Sequence, residues 1–76
     1  MMYIITFQST HHVLKAEKIL LAAGVEFDII PTPKDISSEC GMSIRFNINK
    51  HKQEYLKNLL DNEGFECGFF RFQNSI

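Results

Sequence analysis

Two helix-period segments, each closed by a glycine and each set between short β-type runs, leave this chain few ways to fold. From Thr10 to Ala23, Val13, Ala16, Leu20 and Ala23 recur at helical spacing. Ile19, Leu21 and Leu14 widen that stripe, and Lys15 and Lys18 fall opposite it. Ser9 or Thr10 supplies an N-cap and Gly24 a stop. From Lys50 to Glu63, Tyr55, Leu56, Leu59 and Leu60 repeat the helical pattern, and Gly64 ends it. Around these segments, Met2 to Phe7, Val25 to Ile30 and Phe65 to Phe72 read as strands. Met42, Ile44, Phe46 and Ile48 alternate with Ser43, Arg45 and Asn47, the pattern of a half-buried strand. Gln73 to Ile76 is expected to fray.

The order β-α-β-β-α-β implies an α+β fold of the ferredoxin-like, split type. It is a two-layer sandwich: a four-stranded antiparallel sheet in strand order 4-1-3-2, with two helices on one face. At 76 residues the chain is a single domain, 1–76, with its ordered core over about 2–72. A chain of this length buries only roughly 60% of its unfolded surface, so association would help it. The last strand has more apolar residues than one buried face can use. The surplus is expected to cover the sheet's open face in a homodimer. Arg45 and Arg71 are both expected on that open face.

Eight basic and nine acidic residues give a net charge of -1, which argues against nucleic acid as a partner. No apolar run approaches the roughly 20 residues of a membrane span. The N-terminus has neither the basic region nor the small-residue cleavage site of a signal peptide. The expectation is therefore a cytoplasmic protein, no membrane, and two reduced cysteines rather than a disulfide framework.

Between the second and third strands lies a connector longer than two strands need, Pro31-Thr32-Pro33-Lys34-Asp35-Ile36-Ser37-Ser38-Glu39-Cys40-Gly41. Loops held by a rigid scaffold concentrate function, which makes Cys40 the candidate chemical centre. The topology brings Ser9, Thr10, His11, His12, Cys40 and Cys67 to one end of the molecule. A helix N-terminus there favours a thiolate, Gly41 permits close approach to the sulfur, and Glu39 opposes ionisation. A cysteine in a small domain is also commonly a buried small hydrophobe. Strands three and four flank strand one, which leaves the two cysteines roughly 10 Å apart. A disulfide needs Cα atoms within about 7 Å, so a bridge would require loop movement. Glu39-Cys40-Gly41 before Arg45-Phe46 is echoed by Glu66-Cys67-Gly68 before Arg71-Phe72, at the starts of strands three and four. No CxxC or HxxxH pair indicates a metal site, and no cofactor motif, phosphate loop or catalytic triad is present.

Ile5-Thr6-Phe7-Gln8-Ser9-Thr10-His11-His12 with Ala16-Glu17-Lys18, then Ile29-Ile30-Pro31-Thr32-Pro33 and Ile36-Ser37-Ser38-Glu39-Cys40-Gly41, resembles a family of small bacterial proteins, the Putative Se/S carrier protein-like family. The resemblance spans roughly Met2 to Phe72 and is most specific at the Ser-Ser-acid-Cys-Gly segment. It implies a thiol carrier rather than a turnover enzyme. Cys40 would hold a persulfide or selenopersulfide between a cysteine desulfurase or selenium-pathway enzyme and an acceptor. Ser37, Ser38 and the N–H groups near Gly41 would hydrogen-bond the terminal atom, with Thr10 and His11 beside it and Cys67 as a second thiol. The Cys-Pro-x-Pro motif of the better-understood sulfur carriers is absent, since the prolines precede Cys40. The alternative reading is a non-catalytic regulatory or interaction module, binding a ligand as a dimer, with Cys40 incidental.

Overall fold

The computed structural model describes residues 1–36, 40–64 and 66–72. The expectations for Ser37, Ser38, Glu39, Phe65 and the 73–76 tail lie outside the described residues. The elements are β1 (Met2–Phe7), α1 (Thr10–Ala22), β2 (Asp28–Pro31), β3 (Met42–Asn47), α2 (Gln53–Asp61) and β4 (Cys67–Phe72). They form one four-stranded sheet in the order β2-β3-β1-β4, which is 4-1-3-2 read from the other edge. Every pairing is antiparallel.

Both helices stop where glycine lets them. Gly24 takes a φ of +75°, the Val25 N–H reaches back to the Leu20 carbonyl and the Gly24 N–H to that of Leu21. That is a Schellman closure, and it turns Val25 into the core instead of starting β2 there. Strand β2 accordingly begins three residues later than its β-branched run suggests. Helix α2 is also shorter than its pattern. The Lys50 and His51 N–H groups bond the Asn47 carbonyl, and the Asn49 N–H bonds the Asn47 side chain. This side-chain-capped turn consumes the first residues of the expected helix.

Register sorts the side chains into two faces. Tyr3, Ile5 and Phe7 share one face with Ile44, Phe46, Cys67 and Phe69. Val13, Ala16 and Leu20 of α1 and Leu56 and Leu60 of α2 pack there in one apolar cluster. Leu14 and Leu21 do not widen the α1 stripe; they are 50% and 62% exposed. They lie seven residues apart on a side of the helix that the sheet does not reach.

The opposite face is not bare. Ile4, Thr6 and Ser43 point away from the helices, yet Ile4 and Ser43 are 0% exposed and Thr6 is buried. The described part of the β2–β3 connector reaches this face, with Thr32 Oγ1 2.6 Å from Ser43 Oγ. Pro33, Asp35 and Ile36 line a cleft of about 130 Å³ together with Arg71 and Phe72 on the far edge strand. Arg45 lies on this face, bonded to Asp28 at 2.8 Å, with its guanidinium over the Phe72 ring. Arg71 pairs with Tyr3 and so takes the helix-side register, contrary to the expectation that both arginines share the open face.

Candidate functional site

The site is built at the end of the sheet where β1 runs into α1. Ser9 is extended and caps the helix, its Oγ accepting from the His12 N–H at 3.3 Å. The same Oγ lies 3.1 Å from His12 Nδ1. Thr10, the first helical residue, places Oγ1 3.8 Å from Cys40 Sγ. The topology thus brings the connector's cysteine to the start of α1. Cys67 pairs with Phe7 at this end, and Gln8 donates from Nε2 to Glu66 at 3.0 Å beside it. His11 is exposed, its ring 6.2 Å from that of His12.

Cys40 is 3% exposed and belongs to the apolar cluster under the helices. A small, polarisable side chain is suited to that position. It is also a constraint: a reagent meets the sulfur only after the chain around it moves. Gly41, the next residue, is exposed, has nothing within 4 Å of where a Cβ would stand, and does not take a positive φ. Among the described residues, therefore, nothing demands glycine at position 41.

Cys67, the second cysteine, forms no disulfide and is half-buried. Burial, reinforced by the Asp61 carboxylate and opposed by Lys57, pushes it up to about 11. It stays a protonated thiol at neutral pH. The sequence echo between the two cysteines does not survive in register either. Arg45 is five residues past Cys40, but Arg71 is only four past Cys67, so the arginines take opposite faces. The glycines differ as well. Gly68 is crowded by Thr6 Oγ1 and by the Phe70 ring folded over it, whereas Gly41 is in open space.

Two residues that the sequence reading passed over hold Cys40 from its backbone side. Thr32 Oγ1 donates to the Cys40 carbonyl at 3.1 Å and lies 2.6 Å from Ser43 Oγ. The Thr32 N–H donates to the Gly41 carbonyl at 2.9 Å. Ser43 reads in sequence as an outward, solvated position; it is buried, with Thr32 of the returning connector against it. Among the described residues, no group of three or more His, Cys, Asp or Glu side chains could hold a metal ion. No helix among them is long and apolar enough to cross a membrane.

Compared with known proteins, residues 2–69 match the family model described as "Putative Se/S carrier protein-like". No curated protein and no solved structure matches the chain.

Proposed function

The chain belongs to the Putative Se/S carrier protein-like family, and from that premise we propose that it carries sulfur or selenium on Cys40 as a persulfide or selenopersulfide. The observation that carries the reading is the seating of Cys40 Sγ 3.8 Å from Thr10 Oγ1, at the first residue of α1. A helix start offers unpaired N–H groups and partial positive charge, which suit an anionic terminal sulfur or selenium. In the loading step the Cys40 thiolate attacks the outer sulfur of a donor enzyme's cysteine persulfide. The new S–S bond forms as the donor's S–S bond breaks, and the donor cysteine leaves as thiolate with the electron pair. No oxidant is consumed and no general base is needed once the thiolate is present. A cysteine desulfurase or a selenium-pathway enzyme is the donor in this reading, and a second enzyme's nucleophile unloads the carrier. That chemistry is at home in a reducing cytoplasm. We read the scaffold, with its β-α-β-β-α-β order and central β1 and β3, as ferredoxin-like.

Intact-protein mass spectrometry after incubation with a cysteine desulfurase and cysteine tests the proposal. A gain of one sulfur in the wild type, kept in Cys67→Ala and lost in Cys40→Ser, is expected. Absence of any adduct on Cys40 would sink it.

A second reading is favoured by the burial of Cys40 at 3% exposure. There Cys40 is a packing residue and the domain is a regulatory or interaction module, working as a dimer. Under that reading, Cys40→Ser keeps all partner binding and cellular effect.

A further inference from the structure

Cys40 has to leave a closed position in order to react, and Thr32 supplies specific contacts that hold it there. Its side chain meets Thr10 and the apolar cluster. Its backbone is tied down by Thr32, which sits just past the end of β2 opposite Gly41. Proton bookkeeping fixes the sense of the hydroxyl chain. Thr32 Oγ1 has one hydrogen and gives it to the Cys40 carbonyl. The 2.6 Å contact with Ser43 must then be donated by the Ser43 hydroxyl. The chain runs Ser43 O–H to Thr32 O–H to Cys40 carbonyl, with Ser43 fully buried at its root. Such relays polarise each member, and each buried member left unpaired is costly.

The rung is also isolated from the rest of the sheet. Pro31, the residue before Thr32, pairs with Met42 and has no N–H to give the ladder. Strand β2 is an edge strand of only four residues. The Thr32–Gly41 rung can therefore part without breaking β1–β3 or β1–β4.

We propose that Thr32, oriented by Ser43, is the positioning residue that keeps Cys40 closed, and that parting of the Thr32–Cys40/Gly41 contacts is the step that admits a donor to the thiol. This rests on the reading of Cys40 as the carrier thiol, but its test does not depend on sulfur uptake. Thr32 acts on the exposure of Cys40 locally, and its effect is separable from unfolding of the domain.

The experiment is alkylation of Cys40 by iodoacetamide, in a Cys67→Ala background, read by mass spectrometry over time. In the parent, the rate is expected to be insensitive to low urea, because a local opening exposes little surface. Thr32→Val, close to isosteric but without the hydroxyl, is expected to raise the rate about tenfold with a smaller change in global unfolding. Thr32→Ser should restore the parent rate to within about twofold. Ser43→Ala should accelerate less than Thr32→Val, because Thr32 keeps its own donation to the Cys40 carbonyl. A parent rate that follows global unfolding across the urea series would overturn the proposal, and this arm needs no folded variant. So would a Thr32→Val rate equal to the parent's, or a Thr32→Ser rate as fast as Thr32→Val. Faster alkylation in Thr32→Val with no sulfur adduct in any protein would leave the closure standing and remove the carrier reading. Sulfur uptake by the parent with alkylation indifferent to Thr32 would do the reverse.

Discussion

Thr10 Oγ1 and Cys40 Sγ, thirty positions apart in sequence, lie 3.8 Å from each other at the start of α1. Neither β1, which delivers Thr10, nor the connector, which delivers Cys40, carries the site alone. The contact is within hydrogen-bonding reach of a sulfur and is worth little to stability. It matters more if Cys40 becomes an anion, because a hydroxyl then donates to charge. Because Cys40 reacts only after leaving this seat, Thr10→Val in a Cys67→Ala background is expected to raise the Cys40 alkylation rate about 3- to 10-fold, the equivalent of roughly 0.5–1.5 kcal/mol of hydrogen bond lost from the closed position. Global stability should move by less than about 1 kcal/mol. Parallel rate measurements and urea unfolding check both; an unchanged rate would make the contact incidental.

Cys67 provides a pH dependence with a definite sign. Its thiol is pushed from 9.0 to about 11 in the folded protein. A raised folded value favours the neutral form, so this contribution to stability is fully present below about pH 9 and is lost as pH rises toward 11. Two units set a ceiling of about 2.7 kcal/mol, and the partial exposure of the thiol reduces this to roughly 1–2 kcal/mol. Urea midpoints at pH 8, 9.5 and 11 should fall more steeply for wild type than for Cys67→Ala. Identical slopes in the two proteins would refute the assignment.

Much of this architecture is visible from periodicity alone, since helical spacing and strand alternation are local signals. The stripe Val13-Ala16-Leu20 and the glycine after α1 could be read that way, and so could the alternation through Met42-Ile44-Phe46. The convergence of Thr10 and Cys40 follows from element order, which fixes the end at which each loop emerges. What could not be read is the connector's path over the open face. Ser43 meets Thr32 of the returning connector, yet in an alternating strand it looks like any solvated serine. The exposed Leu14 and Leu21 fail for the opposite reason. A wide apolar stripe does not say how much of itself the sheet can cover.

The covering of the open face has a thermodynamic signature at Ile4. On a bare sheet face this side chain would be partly wet and its truncation cheap. Fully buried as it is, Ile4→Ala is expected to cost about 2–5 kcal/mol, comparable with Ile5→Ala on the helix side. Chemical denaturation of the two variants compares the faces directly. A loss below about 1 kcal/mol for Ile4→Ala, with Ile5→Ala costly, would mean that this face is uncovered in solution.

Three glycines make a discriminating set, because the same added methyl meets three different situations. Gly24 takes a φ of +75° with open space around it, so Gly24→Ala pays only for a left-handed backbone, about 1 kcal/mol. Gly68 is at an ordinary φ but a Cβ would stand 2.9 Å from Thr6 Oγ1 and 2.8 Å from the Phe70 ring. The exposed ring can swing aside; Thr6, held within β1, cannot move as easily. Gly68→Ala is expected to cost about 1–3 kcal/mol through that overpacking. Gly41 has neither constraint, so Gly41→Ala should leave stability within about 0.5 kcal/mol of wild type. Any loss of sulfur uptake in Gly41→Ala would then arise from what approaches Cys40 from outside. Urea unfolding of the three variants, with desulfurase loading of Gly41→Ala beside it, separates these cases. A Gly41→Ala protein destabilised as much as Gly68→Ala would show that position 41 serves the fold after all.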